Sequence, residues 1–196
     1  MSHYFDESPA SRHREGWVEL TVADRELRLA TDSGVFSAGQ LDPGTAVLLD
    51  SVPLPPASGD LLDLGCGYGP IALTLALRAP HATVWAVDVN ERARELTQAN
   101  AAAAGLTNLR VAHPDEVPAD LRFAELWSNP PIRIGKAALH DLLLRWLPRV
   151  DGASFLVVQK HLGSDSLQRW LTEQGLPTEK VRSRKAFRVL CARRPG

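Results

Sequence analysis

A chain of 196 residues with 44% hydrophobic and 23% charged residues has room for one full core and too little length for two ordinary domains. That balance excludes a disordered tail; no apolar run nears the roughly 18 residues of a membrane span, and the polar start MSHYFDESPASRHRE lacks a secretory pattern, so a cytoplasmic protein is expected. Lys and Arg number 22 against 23 Asp and Glu, yet the last seventeen residues hold Lys180, Arg182, Arg184, Lys185, Arg188, Arg193 and Arg194 with no acid, which suits either a polyanionic partner or a charge-protected sheet edge.

In chain order, WVELTVADRELRLAT (17–31) alternates like two short strands turning near Asp24 and Arg25, a hairpin ahead of the core. LDPGTAVLLDSV then offers Asp42 as a helix N-cap with Pro43 in the first turn. After the connector PLPPASG, strand-like and helical runs alternate: LLDL, a helix through IALTLALRA, TVWAVD, a helix from Asn90 to Ala104, LRVA, AELWS, a helix from about Lys136 to Leu147, and SFLVVQK. A last helix around Leu167 to Glu173 precedes two runs, near Val181 and at FRVLCA, joined by only a few residues. The expectation is an α/β, doubly wound, mostly parallel seven-stranded sheet with one antiparallel late strand, since a short connection forces an antiparallel pair. Residues 1–58 form a hairpin and helix appendage to a cofactor-binding core over 59–196, all one domain. Cys66 and Cys191 stand far apart without metal-type spacing, so free thiols and no metal site are expected.

LLDLGCGYGPIAL is an apolar strand, three glycines at alternate positions and a helix start. Gly65, Gly67 and Gly69 permit a sharp turn and close approach of backbone to a ligand, with N–H groups presented near a helix N-terminus. Asp88 ends the next strand, nineteen residues after Gly69, where a carboxylate accepts from both ribose hydroxyls. The spacing is GxGxG rather than GxGxxG, and Asp63 two residues upstream would repel a pyrophosphate. It suits the ammonium and sulfonium of S-adenosylmethionine instead. Asp115 stands where a carboxylate can accept from the adenine amino group or cap a turn.

The run SNPPI follows a strand at its C-terminal end, where open α/β sheets place their chemistry. Two prolines after Asn129 impose a rigid extended backbone, so that the Asn129 side-chain oxygen and the Pro130 carbonyl can converge on one NH₂ group. Two such acceptors draw a conjugated, poorly nucleophilic nitrogen toward a pyramidal form.

With HYF at His3–Phe5, TDSGVFS at Thr31–Ser37, LDPGT at Leu41–Thr45, LDLGCGYGPI at Leu62–Ile71, VDVNERA at Val87–Ala93 and SNPPIRIGK at Ser128–Lys136, the chain resembles class I methyltransferases of the methyltransferase small domain group. It is similar to the catalytic half of bacterial 16S ribosomal RNA guanine-N2 methyltransferases. The resemblance implies S-adenosyl-L-methionine contacts from Asp63, Gly65, Cys66, Gly67, Gly69, Asp88, Val89, Asp115 and Asn129, and catalysis at Asn129, Pro130, Pro131 and Ile132. Substrate contacts are expected from Phe36, Ser37, Thr45, Arg133, Lys136, Arg184, Lys185 and Phe187. The larger rRNA enzymes carry an extra N-terminal domain that these motifs do not include, and Ile132 stands where many nucleic-acid amino-methyltransferases have an aromatic. Without it, either Ile132 packs flat on the base or a ring such as Phe36 or Phe187 stacks it. The implied partner is ribosomal RNA or a ribosomal subunit; the sequence leaves the oligomeric state open, with a monomer favoured. The alternatives are another planar amino group (a protein glutamine amide, adenine or a small molecule) and a cofactor-binding rRNA assembly factor without turnover.

Overall fold

The computed structural model describes residues 15–32, 40–131 and 134–195. Strands β1 (Glu15–Val22) and β2 (Arg25–Asp32) pair antiparallel, Leu20 opposite Leu27 and Val18 opposite Leu29, with those four side chains turned inward. The turn falls on Ala23 and Asp24, one position earlier than the sequence suggests, with φ of 48° and 60°. Two left-handed residues match the right-handed twist of the strands, and the inward pairing leaves no other two-residue loop.

Helix α1 (Pro43–Ser51) starts where expected, the Asp42 side chain accepting from the Thr45 N–H. The core then alternates: β3 (Ser58–Leu64), α2 (Pro70–Arg78), β4 (His81–Val87), α3 (Glu91–Ala103), β5 (Leu109–Ala112), β6 (Glu125–Ser128), α4 (Lys136–Trp146), β7 (Ala153–Gln159), α5 (Ser164–Glu173), β8 (Thr178–Arg184) and β9 (Phe187–Arg193). The seven core strands form one sheet in the order β5-β4-β3-β6-β7-β9-β8, with β9 antiparallel to both neighbours and the rest parallel, as the sequence reading has it. Winding runs outward from β3 toward β5 and from β6 toward β8. The switch point therefore lies between the C-terminal ends of β3 and β6, where such sheets bind ligands.

Strand alternation divides the core into two layers. Leu61, Trp127, Phe155 and Val157 face α2 and the hairpin, whereas Leu62, Leu64, Leu126 and Leu156 face the layer of α4 and α5. Parity places Asp63 on the α2 side. The hairpin shares that layer through Val18, Leu20, Val22, Leu27 and Leu29. Its polar tie is Asn100 of α3, whose Oδ1 accepts from the Ala30 N–H at 2.7 Å and whose Nδ2 donates to the carbonyls of Ala30 and Tyr68 at 2.9 and 2.8 Å. Among the described residues no helix is long and apolar enough to cross a membrane.

Because Asn100 is buried and serves three backbone groups, Asn100→Ala should lower unfolding free energy by at least about 2 kcal/mol, measured by urea denaturation, since each orphaned group carries its desolvation cost.

Candidate active site

At the switch point, Gly65, Gly67 and Gly69 take φ of 78°, 58° and 96°, a region open to glycine and strained for other residues. A side chain at Gly69 would meet Leu73 and Thr97, whereas the space above Gly65 is open. The loop does not offer its N–H groups outward as the sequence reading supposes. Gly65 and Cys66 donate to the Val87 carbonyl, Gly69 to the Cys66 carbonyl, and Gly67 to Asp88 Oδ2 at 3.0 Å, because the loop folds over the end of β4 and continues its ladder. A phosphate would find those four donors spent.

What faces the loop is negative. Asp63 is fully buried; its Oδ2 accepts from the Ala72 N–H at 2.8 Å, and its Oδ1 has no hydrogen-bond partner among the described residues. Burial pushes its carboxyl well above the usual range, the Ala72 hydrogen bond opposes this, and the charge of Asp88 adds to it. Asp88 accepts from the N–H groups of Gly67 and Asn90, and its own carboxyl is also raised, by burial first. Arg94 donates to the carbonyls of Asp88 and Val89 and so fixes the β4–α3 turn. Cys66 is a buried free thiol pushed upward by burial and by both carboxylates, so it is neutral and no nucleophile.

Asn129 leaves the end of β6 beside this loop. The buried Ser128 hydroxyl donates to the Leu64 carbonyl at 2.6 Å and ties the two strand ends together. The Asn129 Nδ2 donates to Asp42 Oδ1 at 2.7 Å and to Thr45 Oγ1 at 3.1 Å, leaving Oδ1 without a donor among the described residues. Pro131 accepts from the Ile134 N–H, while no described donor reaches the Pro130 carbonyl. Asp42, read from sequence as a helix cap, is thus a site residue as well.

The other expected residues scatter. Thr45 contacts Asn129; Phe187 is half-buried against Gly44, where an added side chain would come within 2.8 Å of its ring. Lys136 opens α4 at the surface, and Lys185 tips the β8–β9 turn with φ of 51°, its carbonyl held by Lys160 Nζ at 2.6 Å. Arg184 is paired with Asp50 at 3.0 Å, and Asp115 is exposed and paired with Arg145 at 2.8 Å. Phe36, Ser37, Ile132 and Arg133 lie outside the described residues. Among the described residues no cluster of His, Cys, Asp and Glu is arranged to hold a metal.

A parallel sheet with one reversed late strand, a glycine loop backed by two carboxylates and an Asn-Pro-Pro turn at the neighbouring strand end together define a class I methyltransferase. The family model for the methyltransferase small domain matches residues 26–191, and the chain belongs to that family. Its cofactor is S-adenosyl-L-methionine. The chain is 34% identical over 197 residues to the uncharacterized protein YbxB of Bacillus subtilis, covering 98% of each. It is 33% identical over 178 residues to ribosomal RNA small subunit methyltransferase C of Pseudomonas aeruginosa, covering 89% of this chain and 53% of that one. The structure of the T. thermophilus 16S rRNA guanine-N2 methyltransferase with AdoMet and guanosine superposes with a TM-score of 0.79 at 26% identity, over 94% of this chain and 51% of that one. The chain therefore spans about half the length of these two rRNA enzymes.

The residues present fit such a cofactor: a buried carboxylate oxygen without a partner suits an ammonium group, and open space above Gly65 admits a ligand against the backbone. A folded-state pKa raised above the unfolded value means stability that is full at acid pH and lost as pH rises through the raised pKa. Asp63→Asn should therefore raise the melting temperature of the cofactor-free protein near neutral pH and weaken S-adenosylmethionine binding at least about tenfold by calorimetry, a trade of function against stability. In the parent, cofactor affinity should rise with pH through the same range.

Proposed function

We propose that the chain is an N-methyltransferase acting on the exocyclic N2 amine of a guanine in ribosomal RNA. The observation that carries this reading is the Asn129 side chain, whose amide nitrogen is tied down inside the protein so that its oxygen is left as a fixed acceptor beside the glycine loop. Similarity to rRNA methyltransferases, one of them holding guanosine, supports the substrate class.

Asp63 would hold the cofactor's amino end and Asp88 its ribose hydroxyls, with Gly65, Cys66, Gly67, Gly69 and Val89 forming the backbone bed. Bound there, S-adenosylmethionine would supply a methyl group on a positively charged sulfur for in-line displacement by the amine nitrogen, the sulfide and one proton being the co-products. Asn129 Oδ1 and the Pro130 carbonyl accept from the two amine hydrogens and draw the nitrogen lone pair out of conjugation. Positioning and exclusion of water supply the rest of the rate. Phe187 packs against Gly44 in the first turn of α1 and is half-buried, so it is assigned to stack the base.

The basic terminal run would meet the RNA backbone, but part of it is already spent. Arg184, Arg188 and Arg193 pair with Asp50, Asp165 and Glu179, leaving Lys180, Arg182, Lys185 and Arg194 without an ion pair among the described residues. Charge reversal at Arg182 and Lys185 should weaken RNA binding and lower the salt slope by about one per lost phosphate contact, with cofactor affinity unchanged. A flat salt response in filter binding would point to a glutamine amide or small-molecule substrate.

Methylation of naked rRNA and of 30S and 50S particles, followed by nucleoside mass spectrometry, tests the target directly; N2-methylguanosine is the expected product, and a methylated adenosine or protein side chain would overturn it. Asn129→Ala should lose on the order of 10²–10³ in turnover with cofactor affinity nearly unchanged, the scale of one preorganised transition-state hydrogen bond. Parent-rate turnover by a folded Asn129→Ala protein would refute the catalytic role.

A further inference from the structure

We propose that Asp42, assisted by Thr45, is a positioning residue that fixes the polarity of the Asn129 amide and thereby restricts the site to substrates that donate a hydrogen bond. The inference rests on the reading that Asn129 accepts from the substrate amine. An amide has two faces of opposite character, and a half turn of its last torsion would present NH₂ where the oxygen now stands. Nothing in the Asn-Pro-Pro backbone prevents that turn, because proline restricts main-chain angles alone. The restriction must come from what the side chain touches.

It touches a carboxylate. Asp42 Oδ1 lies 2.7 Å from Asn129 Nδ2, and an ionised carboxylate only accepts, so the reversed amide would set oxygen against oxygen. Thr45 Oγ1 takes a second bond from the same nitrogen at 3.1 Å. With both contacts made, the nitrogen has no hydrogen left to offer, and the oxygen can only accept. Asp42 and Thr45 are 8% and 4% exposed, so water competes poorly for these bonds.

The carboxylate is itself held. The Thr45 N–H donates to the same Oδ1 at 2.8 Å, the positive end of α1 lies against it, and Pro43 sets the chain direction at the first helical position. Gly44 completes the fit: a side chain there would stand 2.9 Å from Asp42 Oδ1 and 2.8 Å from Phe187 Cε1. The segment Asp42-Pro43-Gly44-Thr45 is therefore both a helix start and the clamp on Asn129, and the cap function alone does not explain the second bond.

These two roles separate cleanly, because Asp, Asn and Ser cap helices about equally well. Asp42→Ser keeps an oxygen for the Thr45 N–H but is too short to reach Asn129, whereas Asp42→Asn keeps an acceptor at full length. Turnover should rank parent, then Asp42→Asn, then Asp42→Ser, the last lower by about tenfold or more, with melting temperature and cofactor affinity near the parent's. In the Asn129→Ala background the Ser substitution should have no further effect on turnover, since a residue acting through Asn129 has nothing left to orient. A readout independent of any RNA is the Asn129 side-chain NH₂ pair in ¹⁵N-labelled full-length protein, assigned by its loss in Asn129→Ala. Its hydrogens should exchange slowly in the parent and about tenfold faster or more in Asp42→Ser. Unchanged exchange in Asp42→Ser overturns the clamp, as do equal turnover at position 42 for Asp and Ser or additive losses with Asn129→Ala. Undiminished turnover in Asn129→Ala instead overturns the catalytic reading beneath it.

Discussion

A buried carboxylate oxygen with nothing to bind is the constraint around which this fold is arranged. Asp63 sits inside the sheet, as the penultimate residue of β3 before the glycine loop, without a cation among the described residues. Such a group costs stability in the free protein, and the Ala72 N–H offsets only part of that cost. The rest is relieved by protonation at acid pH, or by a positive group once the carboxyl is ionised. Asp88, just past the end of the neighbouring strand, raises the cost further and so strengthens the preference for a cation. This electrostatic frame separates the site from a dinucleotide site, which needs outward N–H donors where this loop turns its own inward.

Meeting that requirement demands rigidity around the loop, which explains otherwise isolated contacts. Thr97 Oγ1 donates to the Gly67 carbonyl at 2.9 Å, Asn100 to that of Tyr68, and Arg94 to those of Asp88 and Val89. All three donors stand on α3. The same helix grips the hairpin through Asn100 and through the ion pair of Arg92 with the buried Asp32. One helix thus couples the cofactor loop to β2, and a disturbance of the hairpin should be felt at the loop through a short chain of bonds rather than through the sheet.

Local chemistry was legible in the sequence, and long-range chemistry was not. Strand and helix alternation and the left-handed glycines announce themselves locally, and the placing of Asp63, Asp88 and Asn129 at or just past strand ends follows from that alternation. Asp42 announces only its nearer role, as a cap, since its contact with Asn129 spans 87 residues of chain. The pairing of Arg184 with Asp50, across 134 residues, is hidden for the same reason and halves the meaning of a charge count. The hairpin turn shifted by one position because no glycine marks it; the inward pairing of Leu20 with Leu27 decides it instead.

Both halves of the candidate chemistry meet through strand order rather than sequence. The carboxylates belong to β3 and to the residue just after β4, the acceptor to the turn after β6, and their adjacency depends on β6 crossing over to lie beside β3. Ser128 secures that junction by donating to the Leu64 carbonyl, so the residue before Asn129 and the residue before Gly65 are held to each other directly. Methyl transfer tolerates little error in the line from sulfur to carbon to nitrogen. The Ser128 hydroxyl bond, added to the β3–β6 ladder, holds the proposed cofactor loop against the proposed amine acceptor. The fold accordingly places a fully buried polar contact at this junction, and leaves its exposed β8 edge, on the far side of the sheet, free to carry charge.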